Sequence, residues 1–364
     1  MNIKRSLISN KIKSLNWKIF WIGFVAGFLG IFLSQLGLRP PQFLQSATNQ
    51  VQKSQVNIFN ISNSIVEEKI KDKTNDFQLR KDGGSSHNIN IQPSFNTNTS
   101  YVVVDYDTGE ILAEKNMSEK QQVASLTKIM TAIVSLDLAS PQEIFSVSGG
   151  AAMINPTKIG VVEGQKMTLS ELLQATLLTS ANDAAEVIKE GIDNKYGKES
   201  FIKAMNGKAS FIGLKNTRFD NPQGFDSENN YSTAYDLAVL SGYALKNYPL
   251  IAETVRKDYE FLSENENHKQ FDLYNWNGLL DVYPNIKGIK IGNTDRAGYT
   301  TIVMSERENK RVLVVLLGAP GVIDRDLWAS QLLDIGFNKQ ANLASVNITE
   351  QELQTKYSTW KFWN

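Results

Sequence analysis

Strand-like segments crowd the two ends of one long stretch of this chain, and the middle is helical. At the first end, "YVVVDYDTGEILAEKN" reads as a hairpin, with strands Tyr101–Asp105 and Ile111–Glu114 around the turn Asp107-Thr108-Gly109. At the other end, Ile286–Ile291, Tyr299–Ser305 and Val312–Gly318 read as strands. Between them, "SLTKIMTAIVSLDLA" sets Leu126, Ile129, Met130, Ile133, Val134 and Leu136 at helical spacing. "TLSELLQATLLTSANDAAEVIKEGI" opens with a capping box, Thr168 then Glu171, and breaks near Ser180-Ala181-Asn182. "STAYDLAVLSGYAL" and "DRDLWASQLLDIGF" are further helices. One sheet with edges drawn from both termini and helices between them is an α+β design.

Ahead of this domain, the first residues carry Lys4, Arg5, Lys11, Lys13 and Lys18, with no acid before Glu67. The run Ile19–Leu38 is apolar all round and has the length a helix needs to cross a bilayer. Basic residues before it put the N-terminus in the cytoplasm and the rest outside. "RPPQF" follows in place of a small-x-small cleavage signature, so the run reads as an uncleaved signal anchor, giving a single-pass cell-membrane protein. The next stretch is dominated by Asn, Gln, Ser and Thr and reads as a disordered tether. A flexible chain of that length reaches about 40–45 Å. The expected organisation is a cytoplasmic segment 1–18, an anchor 19–38, a linker 39–98, a catalytic domain 99–338 and a tail 339–364. In the tail, Trp360, Phe362 and Trp363 read as packing on the domain or as disorder.

Composition excludes several chemistries. Lys plus Arg and Asp plus Glu both number 38, and no basic face marks a nucleic-acid partner. The absence of cysteine removes thiol catalysis, disulfides and Cys-bound metal. With only His87 and His268, a multi-histidine metal site is nearly excluded, and no cofactor is expected.

Three short motifs occur in order. Ser125-Leu126-Thr127-Lys128 places an amine beside a hydroxyl, because positions i and i+3 share a helix face. Serine alone is a poor nucleophile and needs a base. A lysine can be that base where burial or a nearby cation lowers its pKa. Ser180-Ala181-Asn182, at the helix break, offers a hydroxyl to relay a proton and an amide to hold a carbonyl. Lys290-Ile291-Gly292 adds a second lysine, whose charge would keep Lys128 neutral and attract a substrate carboxylate. Each motif is weak alone: Ser200–Lys203 repeats the first spacing and Lys158-Ile159-Gly160 the third.

Taken together, "VASLTKIMTA", "LLTSANDAA" and "GIKIGNTDRAGY" resemble the serine DD-peptidases of the penicillin-binding class. The likeness is to the low-molecular-mass D-alanyl-D-alanine carboxypeptidases of the S11 type. It runs from about Tyr101 to Phe337 and takes in "DYDTGEILAEKN", "NPQGFDSENNYSTAYDLA", "NGLL" and "LLDIGF". It implies a β-lactamase/transpeptidase-like fold, with an antiparallel sheet flanked by helices. It also implies a substrate, the peptidoglycan stem peptide ending in D-Ala-D-Ala, and β-lactams as inhibitors.

By that resemblance Ser125 is the nucleophile, Lys128 its base, and Ser180 and Asn182 the second catalytic motif. Lys290, Gly292, Asn293 and Arg325 would bind substrate, with the backbone N–H groups of Ser125 and Asn293 as the oxyanion hole. Arg325 lies where members often have an arginine near the substrate carboxylate. Two positions depart from the pattern. Members carry Thr or Ser at the middle of the third motif, where it donates to the terminal carboxylate; Ile291 cannot. A lost bond to a charged group is worth about 1.5–3 kcal/mol, or about 10- to 150-fold. Some members have arginine where Trp276 stands. The expectation is a carboxypeptidase weakened at its carboxylate end, with a non-catalytic binding relative as the alternative. No Glu-x-x-Leu-Asn lies between the first and third motifs, which sets aside a β-lactamase.

Overall fold

Strands β1 (Ser100–Asp105), β2 (Ile111–Lys115), β7 (Ile286–Thr294), β8 (Gly298–Arg307) and β9 (Lys310–Ala319) form one antiparallel sheet in the order β2-β1-β9-β8-β7. Two small hairpins stand outside it: β3 (Ile144–Ser146) with β4 (Lys166–Thr168), and β5 (Tyr259–Leu262) with β6 (Phe271–Tyr274). The computed structural model describes residues 63–81, 95 and 98–360. The chain divides into two compact units, Met1–Ile65 and Val66–Asn364, and the sheet belongs to the second.

The apolar runs of β1 and β9 do not alternate, and the structure gives the reason. Every residue of β1 is buried, as are Val312–Leu317 of β9. Helices cover both faces of the sheet, so both sets of side chains are apolar. On one face Val103, Val312, Val314 and Leu316 pack with Leu332, Leu333 and Phe337 of a long helix, Val322–Ala341. Against the other lies α5 (Ala234–Asn247), which touches β1 and β9, and α1 (Lys128–Leu138) packs on α5. Between these two in sequence come α2 (Leu169–Leu177), α3 (Asn182–Tyr196) and α4 (Ser200–Phe211).

The chain order matches the expected one: a hairpin first, helices next, three strands last. Two expectations need correction. The tether was expected to extend to residue 98, but residues 66–81 belong to the folded body. Val66, Ile70 and Phe77 are buried; Phe77 lies 5.4 Å from the Tyr106 ring, and Lys208 donates to the Ile70 carbonyl. Three apolar side chains spaced through a polar stretch suffice to fasten it. The tail also folds in part: Glu350–Ser358 is a helix with its own capping box, Thr349 and Glu352, and it buries Leu353 and Tyr357. The basic segment 1–18 and the apolar run Ile19–Leu38 lie outside the described residues. Among those described, no helix is long and apolar enough to cross a membrane.

Candidate active site

Ser125 sits on a 3-10 turn, Ala124–Thr127, that runs straight into α1. In a 3-10 turn, positions i and i+3 nearly eclipse. Lys128 Nζ accordingly lies 2.9 Å from Ser125 Oγ. The helix behind is wholly buried at Ile129, Met130, Ile133 and Val134, which fixes the lysine stem against the core.

Lys128 has no exposed surface, and its amine has two further partners: Asn182 Oδ1 and the Gln223 carbonyl, each at 2.7 Å. Asn182 is held in turn. Its Nδ2 donates to the Pro156 carbonyl at 2.5 Å, and its backbone N–H donates to the Thr157 carbonyl at 2.8 Å. The loop supplying those carbonyls is pinned by the buried Asp183 carboxylate, which accepts from the N–H groups of Ile159, Gly160 and Val161. Ser180 stands at the expected break between α2 and α3, nearly buried, with a left-handed φ of 62°.

The third motif lies on β7, the edge strand, with Ile291 opposite Thr301 and Gly292 opposite Thr300. Glycine at 292 has a steric cause: a Cβ there would sit 2.7 Å from the Ser125 nitrogen and 2.9 Å from Ala124 Cβ. Gly224 is under the same constraint from the other side, with the Ala124 carbonyl oxygen 1.9 Å from the place of a Cβ. The nucleophile turn is therefore gripped between two glycine backbones. Lys290 is 2% exposed and donates to the Ile291 carbonyl at 3.1 Å.

Burial pushes the Lys128 ammonium well below its usual range; the Lys290 charge adds to the fall, and Asp183 opposes it. Lys290 is itself brought down to about 7 by burial, with the Arg325 charge behind it. A neutral Lys128 has two N–H bonds and one lone pair. Asn182 Oδ1 and the Gln223 carbonyl can only accept, so they take the two N–H bonds. The lone pair is left for the Ser125 hydroxyl.

These groups open on a cleft of about 730 Å³. One wall is Pro156, Thr157, Lys158 and Ile159, beside Asn182. The other is Ile291, Gly292, Asn293 and Thr294 of β7. The hairpin and its exit contribute Lys269, Phe271, Asp272, Tyr274 and Trp276. Lys269 reaches toward the first wall, its Nζ 3.7 Å from where a Gly160 Cβ would stand. The hairpin loop is tied down by buried His268, whose Nδ1 is 2.7 Å from the Lys269 carbonyl and whose Nε2 is 3.2 Å from Glu171 Oε1.

Of the residues expected at the site, Ser125, Ser180, Asn182, Gly292 and Asn293 line the cleft, and Lys128 and Lys290 are buried next to it. Arg325 is a correction: it is not on the cleft wall. It is 2% exposed, with Nε 2.6 Å and Nη2 2.8 Å from the two Asp326 oxygens and Nη2 3.0 Å from the Tyr357 hydroxyl. A neighbouring carboxylate and a tail tyrosine hold the guanidinium, so only its longer-range charge is felt, at Lys290. The sequence reading missed Gln223 and Asp183, although the first lies inside the quoted "NPQGFDSENN" and the second adjoins Asn182. Among the described residues, no group of three or more His, Asp or Glu is arranged to hold a metal ion.

Comparison with known proteins agrees with this geometry. Residues 88–321 match the model of the S11 peptidases, D-alanyl-D-alanine carboxypeptidase. The chain belongs to that family. D-alanyl-D-alanine carboxypeptidase DacF of Bacillus subtilis is 34% identical over 270 residues, 72% of this chain and 68% of that protein. DacD of Escherichia coli is 32% identical over 278 residues, with the same shares. Among solved structures, DacD from Francisella tularensis superposes with a TM-score of 0.60 at 26% identity, covering 69% of this chain and 73% of that one. Penicillin binding protein 5 from Haemophilus influenzae gives 0.61 at 28%, covering 68% and 72%. One repeat of the motifs falls away: Lys203 of the spare Ser200–Lys203 pair faces solvent and reaches Glu199 at 3.8 Å, whereas Lys158 and Ile159 line the cleft.

Proposed function

We propose that this S11 member is a serine D-alanyl-D-alanine carboxypeptidase that works through an acyl-enzyme. Ser125 Oγ attacks the carbonyl carbon of the penultimate D-alanine, and its proton passes to the Lys128 lone pair. The tetrahedral oxyanion is met by the backbone N–H groups of Ser125 and Asn293. The C–N bond then breaks and the leaving amine takes a proton, with Ser180 in position to relay it. Water cleaves the resulting ester, and the trimmed peptide leaves with a new carboxyl end. Asn182, locked by Lys128 and Pro156, orients the amine. The observation that carries this reading is the fully buried Lys128, 2.9 Å from Ser125 and with its other two partners both obligate acceptors. A β-lactam would enter the same route and stay bound as an acyl adduct.

The natural substrate in this reading is the peptidoglycan stem peptide. Substrate of that kind lies outside the cytoplasm, which accords with the anchor read at Ile19–Leu38 and puts the catalytic domain on the outer face of the cell membrane. The test is a labelled penicillin with the purified protein, followed by peptide mapping. The expected result is one adduct, on Ser125, absent in Ser125→Ala. D-alanine release should fall on the order of 10⁴- to 10⁶-fold in that variant. Absence of any adduct and of any D-alanine release from the natural sequence would leave the non-catalytic binding relative as the correct reading.

A further inference from the structure

The β7 wall of the cleft is short of charge. Its side chains are Ile291, Asn293 and Thr294, and the Thr294 hydroxyl donates to Asp226 Oδ1 at 2.6 Å, an anion directly behind it. Trp276, Phe271 and Tyr274 close the same cleft, and the Asp272 carboxylate accepts from the Tyr259 hydroxyl. Of the two cations that line the cleft, Lys158 stands on the opposite wall and Lys269 lies between that wall and the Phe271 ring, 5.5 Å from its centre. Lys158 is on the loop that holds Asn182, and Lys269 reaches over Gly160. Arg325 is held by Asp326 and Tyr357 inside the fold. Lys290 turns its amine to the Ile291 carbonyl. A carboxylate brought to this wall gives up water and finds neutral donors and an apolar surface. That loss is steep without a charge-assisted partner.

We propose that the leaving-group side of this cleft takes an amine with no carboxylate on the adjacent carbon: a D-alanyl peptide whose last residue is amidated, or a cross-link made through a simple side-chain amine. The proposal rests on the acyl-enzyme chemistry proposed above and changes its leaving group: a free-acid D-alanine becomes the poorer one. The chemistry is unchanged: Ser125 Oγ forms the ester, the C–N bond breaks, and the neutral amine leaves with one added proton. Ile291 and Trp276 are then specificity determinants, and the position that lacks a donor for a free terminal carboxylate is the one that welcomes its absence.

The test compares one N-acyl tripeptide ending in D-Ala-D-Ala as the free acid with its C-terminal amide, on the full chain and on Ile291→Thr. An N-acyl-D-alanyl thioester with an uncharged leaving group reports Ser125 acylation independently. In the natural sequence the amide should exceed the acid in kcat/KM by about 10-fold or more. In Ile291→Thr the acid should gain about 10- to 150-fold, the worth of one bond to a charged group, while the amide moves less than about 3-fold. A natural sequence that favours the acid overturns the inference and leaves the carboxypeptidase reading intact. Thioester acylation with neither peptide cleaved overturns the inference and the D-Ala-D-Ala substrate together, and leaves only the acyl-enzyme chemistry at Ser125. Failure of thioester and penicillin alike to acylate Ser125 instead overturns the acyl-transfer reading on which it rests.

Discussion

On the Asn182 wall, one contact fixes the next: Asp183 holds the loop, the loop carbonyls hold Asn182, and Asn182 holds Lys128. On the β7 wall, the only rigid demand is steric, at Gly292, and the side chains that reach the cleft are free to differ. In the proposed reaction the first wall supports the nucleophile and the second meets what the nucleophile releases. A base must have one protonation state and one orientation, so its supports cannot be exchanged singly. A leaving-group pocket need only match its ligand. Ile291 and Trp276 both fall on that freer side.

Breaking the first wall should have the larger effect. Lys128→Met keeps the stem and removes the lone pair, and Ser125 acylation should fall about 10²- to 10⁴-fold. Thermal stability should fall modestly, by about 1–3 kcal/mol, because Asn182 Oδ1 and the Gln223 carbonyl lose their buried donor. The acylation rate of the natural sequence should climb with pH through the lowered Lys128 pKa, since the amine acts only when neutral, and that climb should vanish in Lys128→Met. Above about 7, Lys290 also loses its proton, which withdraws its charge from the cleft. A pH dependence of acylation that is unchanged in Lys128→Met would show that Lys128 is not the base.

Gly292→Ala tests the seam between the walls. A Cβ 2.7 Å from the Ser125 nitrogen has to push the strand or the nucleophile turn aside. Displacement of a reacting group by about 1 Å can cost about 10²-fold. Acylation by penicillin and by a neutral thioester should drop together by that order. A drop confined to carboxylate-bearing substrates would mean that Gly292 shapes only the second wall.

The two walls were not equally legible in the sequence. Ser125–Lys128 and Ser180–Asn182 are local: helical periodicity and a capping box place them, and the structure finds them there. That the sheet draws its edges from both ends of the domain followed from where the strands fall. Arg325 was misplaced because its partners, Asp326 beside it and Tyr357 in the tail, decide its direction, and a contact across 32 residues leaves no periodic trace. Gln223 was missed because it acts through its carbonyl oxygen, which every residue type shares. The fastening of residues 66–81 was hidden by a polar composition in which three apolar side chains, Val66, Ile70 and Phe77, and backbone bonds at Ile70 and Arg80 do the holding.

The smallest effect should come from the tail. Trp360 meets the Trp276 ring edge-to-face at 5.4 Å and the Tyr357 ring at 4.7 Å, so it braces a residue of the second wall from behind. Each such pair is worth about 0.5–1.5 kcal/mol beyond its buried area. Trp360→Ala should therefore lower Tm by a few degrees and loosen Trp276, cutting the preference for the amide over the acid by about 2- to 10-fold. Acylation by the neutral thioester should stay within about 2-fold of the natural rate, because Lys128 and Asn182 are held by the Gln223, Pro156 and Thr157 carbonyls. Trp360→Phe, which keeps an aromatic edge, should restore most of the selectivity. If Tm falls while the selectivity stays where it was, the tail supports the fold and has no part in choosing the leaving group.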